Sequence, residues 1–216
     1  MRAIRVAAFG GPDVLTLVEV PDPQPGPGQI RVRVHAAGVN PVETYIRTGT
    51  YASKPQLPYT PGSDAAGVVD ALGEGVTGRA VGDRVYTAGP MNASSGSYAE
   101  LAVTDARNVH ALPASLTFAQ GAAVGVPCST AWRALFQKAG VLAGETVLVH
   151  GGSGSVGTAA IQLARAAGLT VIATAGSAKG LALIGELGAH HAIDHSQPDY
   201  RAAIKAAAGG RGPLGL

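Results

Sequence analysis

Hydrophobic and polar positions alternate in short runs through the first half of the chain, then lengthen into helical intervals. Six β-like runs, at residues 4–8, 15–20, 30–34, 66–72, 84–87 and 98–103, are separated by turns rich in proline and glycine. Short strands at even spacing with turn residues between them predict a small barrel-like β domain. The style changes near residue 118, and from Ala119 onward alanine-rich helical segments alternate with apolar strands, the pattern of a doubly wound sheet. The chain therefore reads as an α/β protein with two domains, 1–118 and 119–216. The boundary is a composition shift rather than a flexible linker, and a cleft lined by both domains is the expected ligand site.

The densest chemistry lies at residues 145–179. Val147, Leu148 and Val149 form an apolar run suited to a strand buried in a parallel sheet. Gly152, Gly154 and Gly157 follow in G-x-G-x-x-G spacing; then Val156, Ala160, Leu163, Ala164 and Ala167 recur at helical intervals, and residues 169–173 return as a second strand. In such a unit the first glycine permits a tight turn, the second lets the backbone approach a pyrophosphate, and the third lets the helix lie close on the sheet. The helix N-terminus offers free N–H groups to phosphate. Glycine is abundant here, 31 of 216 residues, so the spacing alone is weak; the flanking strand and helix give it weight.

An NAD site carries an acidic residue about twenty positions past the glycines, to hold the ribose hydroxyls. Here that segment reads Thr174, Ala175, Gly176, Ser177, Ala178, Lys179. No carboxylate opposes a 2′-phosphate, and Ser177 and Lys179 can bind one, so the cofactor reading is NADPH. The competing reading of Lys179 is a solvated lysine opening the next helix.

Composition narrows the remaining classes. A net charge of +2 is too small to imply nucleic acid or an anionic membrane as an obligatory partner. The single cysteine, Cys128, excludes an internal disulfide and every multi-cysteine zinc site, which fits a reducing, cytoplasmic setting. Residues 108–132 hold no Asp, Glu, Lys or Arg, but prolines and hydroxyl residues interrupt them, which argues against a membrane span. There is no G-x-S-x-G elbow, no HExxH and no P-loop lysine. Cys128 reads as packing rather than as a nucleophile.

The runs GVNPVETYIR at 38–47, PYTPGSD at 58–64 and GDRV at 82–85, with the glycine turn, resemble the zeta-crystallin-like quinone oxidoreductases of the medium-chain dehydrogenase/reductase superfamily. The resemblance covers nearly the whole chain. It implies a GroES-like catalytic domain followed by a Rossmann domain, NADPH as cofactor, a quinone as substrate and, for an intact member, a homo-oligomer. Carried over by motif, Ser153, Gly154, Ser155 and Val156 would meet the pyrophosphate, Gly176 and Lys179 the adenosine ribose and its 2′-phosphate, and His195 the adenine end. Thr130 would lie near the nicotinamide. Asn40, Tyr45 and Tyr51 would line the nicotinamide and quinone side. Read without the resemblance, the two tyrosines are packing residues and Asn40 a backbone cap.

Zinc-dependent members carry a cysteine where this chain has Asn40, and Gly-His-Glu where it has Gly62, Ser63 and Asp64. The resemblance thus implies no catalytic zinc. His190, His191, Asp194 and His195 lack a defined ligand set and read as surface residues at a strand end, His195 excepted. Without a Lewis acid the substrate must accept hydride readily in its own right, as a quinone does. The alternatives are an NADPH-dependent enone or alkenal reductase, and the lens-structural or RNA-binding roles known among relatives; no basic stripe with interleaved aromatics supports RNA binding. Set beside the family, the chain stops before its fourth Rossmann strand. That would leave a sheet edge unpaired and makes inactivity of these residues alone a further alternative.

Overall fold

In β3 (Gln29–Ala37) the alternation works as the pattern predicts. Ile30 and Val32 are fully buried, and Arg31 and Arg33 both reach the Asp70 carboxylate. The computed structural model describes residues 1–88 and 96–210 and the backbone of 214–215. The chain divides into two units, Met1–Val126 and Pro127–Leu216.

The first unit pairs β1 (Arg2–Arg5) with β2 (Thr16–Glu19), and builds a five-stranded antiparallel sheet in the order β6-β3-β4-β5-β7. Its remaining strands are β4 (Ala65–Leu72), β5 (Arg84–Thr87), β6 (Leu101–Asp105) and β7 (Val109–Ala111). Ile30, Val32, Val69, Val85 and Val109 form its core. Helix α1 (Pro41–Arg47) fills the connection from β3 to β4. The first strand lies ahead of the predicted 4–8, because Arg2 to Arg5 pair with Glu19 to Thr16 while Val6 bridges separately to Tyr59. Similarly, β6 begins at Leu101 rather than 98, because Ala99 bridges to Ala3. Helix α2 (Phe118–Ala122) packs Phe118 and Ala122 with Ala66, Leu112 and Tyr86, so it belongs to this unit although its composition resembles that of the second.

Helix α3 (Gly125–Trp132) leads into the second unit through a wider turn, Arg133–Ala139. The rest of that unit comprises β8 (Thr146–Val149), α4 (Ser155–Ala166), β9 (Thr170–Ala175), α5 (Ala178–Glu186), β10 (His191–Asp194), α6 (Tyr200–Ala207) and β11 (Leu214–Gly215). All pairs in the sheet are parallel and the order is β10-β9-β8-β11. Two residues of the fourth strand are therefore present, a little further than the sequence pattern carries the chain. Val147, Ile161, Val171 and Ile184 are completely buried between sheet and helices; each such side chain stabilises by roughly 1.5–3 kcal/mol relative to exposure. Cys128 is half-buried and packs against this core. Among the described residues no helix is long and apolar enough to cross a membrane.

Candidate functional site

After β8 the chain steps to one side for β9 and β10 and then returns to the other side of β8 for β11. That reversal is the switch point at which open parallel sheets bind ligands, outside the carboxyl ends of their strands. The glycine turn occupies it. Gly151 takes a positive φ of 63° and Gly152 is buried. A Cβ on Gly157 would lie 2.5 Å from the Gly151 carbonyl oxygen, so only glycine lets α4 start this close to the strand. Gly154 caps α4 with no side-chain hydrogen bond, and Ser153, Gly154, Ser155 and Val156 are all exposed. The first-turn N–H groups of an α-helix have no intrahelical acceptor; here they face outward with the positive end of the helix dipole, a ready anion site.

The adenosine end of such a site would fall at the tip of β9. Ser177 caps α5 by accepting the Gly180 N–H at 3.1 Å, and Lys179 is exposed in the first turn. His195 stands over Gly176, where a Cβ would lie 2.7 Å from its Nε2. Its Nδ1 is 3.0 Å from the Thr174 hydroxyl. No carboxylate belongs to the stretch from Thr174 to Gly180. Thr130 is exposed on α3. His190 is engaged locally: its Nδ1 accepts the Val171 N–H at 2.8 Å and its Nε2 meets Arg165. Burial, with the charge of Arg165, holds the His190 imidazole below its ordinary pKa.

In the first unit, α1 begins in a buried polar network. Glu43, 7% exposed, accepts the Asn40 N–H at 3.0 Å, the Ser63 N–H at 2.8 Å and the Tyr98 hydroxyl at 2.6 Å. Asn40 donates its side-chain amide to Asp64 at 2.9 Å, and Asp64 also accepts the Val126 N–H. Burial pushes the Asp64 carboxyl above its ordinary range, against the hydrogen bonds from Asn40 and Val126. Burial and the hydrogen bond to Glu43 push the Tyr98 phenol up as well. Asn40 therefore sits inside this network at 4% exposure, whereas Tyr45 and Tyr51 are 55% and 43% exposed. Tyr51 lines a pocket of about 380 Å³ with Glu43, Ile46, Lys54, Tyr59 and Ser63. The Tyr59 hydroxyl is buried there without a hydrogen-bond partner among the described residues, and burial raises its pKa.

Comparison with known proteins adds the family. Residues 26–114 match the alcohol dehydrogenase GroES-like domain and residues 155–214 the zinc-binding dehydrogenases. A quinone oxidoreductase of Rattus norvegicus is 52% identical over 215 residues, covering 98% of this chain and 64% of its own length. The crystal structure of an NAD-dependent alcohol dehydrogenase superposes with a TM-score of 0.92 at 36% identity, over 99% of this chain and 69% of that one. The chain belongs to the medium-chain dehydrogenase/reductase superfamily. Quinone oxidoreductases are among the relatives it matches at about half identity. Within that family, Escherichia coli quinone oxidoreductase, solved in complex with NADPH, matches with a TM-score of 0.84 at 33% identity, over 97% of this chain and 63% of that one. This family member thus spans 64% of the length of its rat relative.

The match to zinc-binding dehydrogenases raises the question of a metal. The donor set does not suit zinc. Where zinc-dependent members carry the cysteine stands an amide that donates to Asp64, and where they carry Gly-His-Glu stand a serine whose N–H is given to Glu43 and a carboxylate already receiving hydrogen bonds from two directions. Sequence reasoning did not find Glu43, Tyr98, Thr174 or His150. Glu43 stands three residues after Asn40 with a proline between, the pattern of a capping box that the structure forms, but its contact with Tyr98 has no local signal because the two are distant in sequence; the Thr174 hydroxyl could have been suspected from its place at the end of an apolar strand beside the turn.

Proposed function

We propose that this protein reduces quinones with NADPH as the electron donor. The observation that carries the cofactor is the combination of an uncapped, glycine-cradled α4 N-terminus with a β9 tip that offers Lys179 and His195 and no carboxylate. The site fits the dinucleotide because Gly152, Gly157 and Gly176 let the turn, α4 and the tip of β9 pack closer than any side chain would allow: a Cβ would press on Ala173, Ile161 and Ile184, on the backbone of Gly151 and Gly152, and on the His195 ring in turn. When bound, NADPH supplies a hydride, which with one proton converts a quinone to a hydroquinone. The N–H groups of Ser155 and Val156 would hold the pyrophosphate, with Ser153 and Gly154 shaping the approach. Lys179 would hold the 2′-phosphate side beside Gly176; His195, carried over by motif to the adenine end, stands against the same glycine and would join Lys179 there, with Thr130 on the nicotinamide side. Tyr45 and Tyr51 present hydroxyls that can hydrogen-bond an acceptor oxygen. Asn40, buried under α1, would act by fixing that helix and so the tyrosine it carries. Orientation and exclusion of water supply the rate. The quinone assignment is supported by the names of the rat and Escherichia coli relatives.

Calorimetric titration of the chain with NADPH and NADH in parallel tests the cofactor. NADPH is expected to bind the more tightly, and Lys179→Glu to weaken NADPH by about tenfold or more while NADH changes little. Equal binding of the two dinucleotides would remove the 2′-phosphate assignment. Turnover of an α,β-unsaturated ketone with none of a quinone would overturn the substrate.

A further inference from the structure

Thr174 joins the two ends of the dinucleotide site. Its side chain is completely buried, and its hydroxyl accepts the Gly151 N–H at 3.2 Å. The same oxygen lies 3.0 Å from His195 Nδ1 and 3.4 Å from His150 Nδ1, while the Thr174 carbonyl accepts the Gly152 N–H at 2.7 Å. One side chain therefore touches the glycine turn and the imidazole over Gly176.

A threonine hydroxyl has one proton to give and two lone pairs to receive. One lone pair takes the Gly151 N–H, and solvent cannot reach this buried oxygen. The proton then goes to one of two imidazole nitrogens. The contact to His195 is the shorter, and the one to His150 lies near the outer limit of a hydrogen bond. The proton on the Thr174 oxygen is accordingly directed to His195 Nδ1, and His150, which is exposed, donates into the second lone pair.

We propose that Thr174 is a positioning residue that sets the tautomer of His195, leaving the proton of the neutral ring on Nε2, so that His195 is a hydrogen-bond donor to the 2′-phosphate side of the dinucleotide. Nε2 is the nitrogen turned toward Gly176, at the tip of β9, where a Cβ would lie 2.7 Å from it. With the opposite tautomer, Nε2 would present a lone pair to a phosphate and repel it. Donation by a neutral ring needs no imidazolium, so the contact does not require a charge on His195, and Lys179 supplies the charge. The inference rests on the reading of this end as the 2′-phosphate site.

The test uses the full chain labelled with nitrogen-15 at histidine. Two-bond proton–nitrogen correlation of the free protein, recorded above the ordinary imidazole range, is expected to show His195 protonated on Nε2. Thr174→Val should turn that signal toward a mixture of tautomers and weaken NADPH about fivefold to tenfold, with a smaller change for NADH. Thr174→Ser should restore both. Nδ1 protonation in the wild type overturns the proposal. So does a valine variant with an unchanged tautomer and unchanged NADPH affinity. If the valine variant does not fold, the wild-type and serine spectra still decide. If the wild type binds no dinucleotide, the cofactor reading falls, and the spectrum of the free protein separately settles the tautomer.

Discussion

At the scale of single residues, two aspartates, Asp64 buried and Asp70 part-buried, pull stability in opposite directions with pH. Burial alone would raise the Asp70 carboxyl, but the hydrogen bonds from Arg31 and Arg33 outweigh it and hold the group below its ordinary range. Its contribution is complete above the unfolded value, about 3.9, and is lost as pH falls through the folded one. Asp64 is the reverse: raised by burial, it favours the fold below about pH 3.9, and that preference declines as pH rises through its folded value. Urea midpoints measured across acid pH should therefore show a flatter acid limb in Asp70→Asn, with about 1–3 kcal/mol lost near neutrality. Asp64→Asn should flatten the decline on the higher side. A profile for Asp70→Asn parallel to the wild type at low pH would contradict the ion-pair account. Gly157→Ala is a test of space rather than charge. Its Cβ would strike backbone atoms of Gly151 and Gly152, which cannot rotate away, so melting should shift down and NADPH affinity fall by more than tenfold.

At the scale of elements, α1 depends on one carboxylate. Glu43 collects N–H groups from both Asn40 and Ser63 and a phenol from Tyr98, tying the helix start to the loop before β4. Glu43→Leu should cost about 3 kcal/mol, because one buried and two part-buried donors lose their acceptor, and Glu43→Gln about half of that; denaturant titration reads both. A loss under about 0.5 kcal/mol in the leucine variant would mean that water replaces the carboxylate. This element also shows what a single sequence conveys. The strand, turn and helix around Gly152 to Gly157 were legible because each signal is local: an apolar run, three spaced glycines and a helical repeat. The same is true of β5, whose bounds are those of the predicted run. Strand β7 was missed because three residues, Val109 to Ala111, carry too little alternation and owe their conformation to pairing with β5. The α1 network was missed because Asn40 meets Asp64, and Glu43 meets Tyr98, only once the chain has folded. The motif resemblance pointed to Asn40 without indicating that it would be enclosed.

At the scale of the molecule, the proposed reading gives the cofactor to the second unit, so the responses of the two units to NADPH should differ. NADPH should slow amide exchange at the glycine turn, in the first turn of α4 and at the tip of β9, and raise the melting temperature in step with its concentration above Kd. Protection confined to the first unit would contradict the placement of the cofactor. In the second unit, strand β9 outruns β8, whose last pairing joins Val149 to Ala173, so Thr174 and Ala175 project beyond the neighbour on one side while β10 supports them on the other. Neighbouring side chains on a strand point to opposite faces. A slip of one position during strand docking would bring a methyl group to the place of the Thr174 hydroxyl, leaving the Gly151 N–H without its acceptor and His195 without its anchor. The overhang thus acts as a vernier: a misaligned sheet can still bury its valines and isoleucines, but it cannot line up the two halves of the nucleotide site, and dinucleotide binding becomes a gauge of whether the strands have locked in the right place.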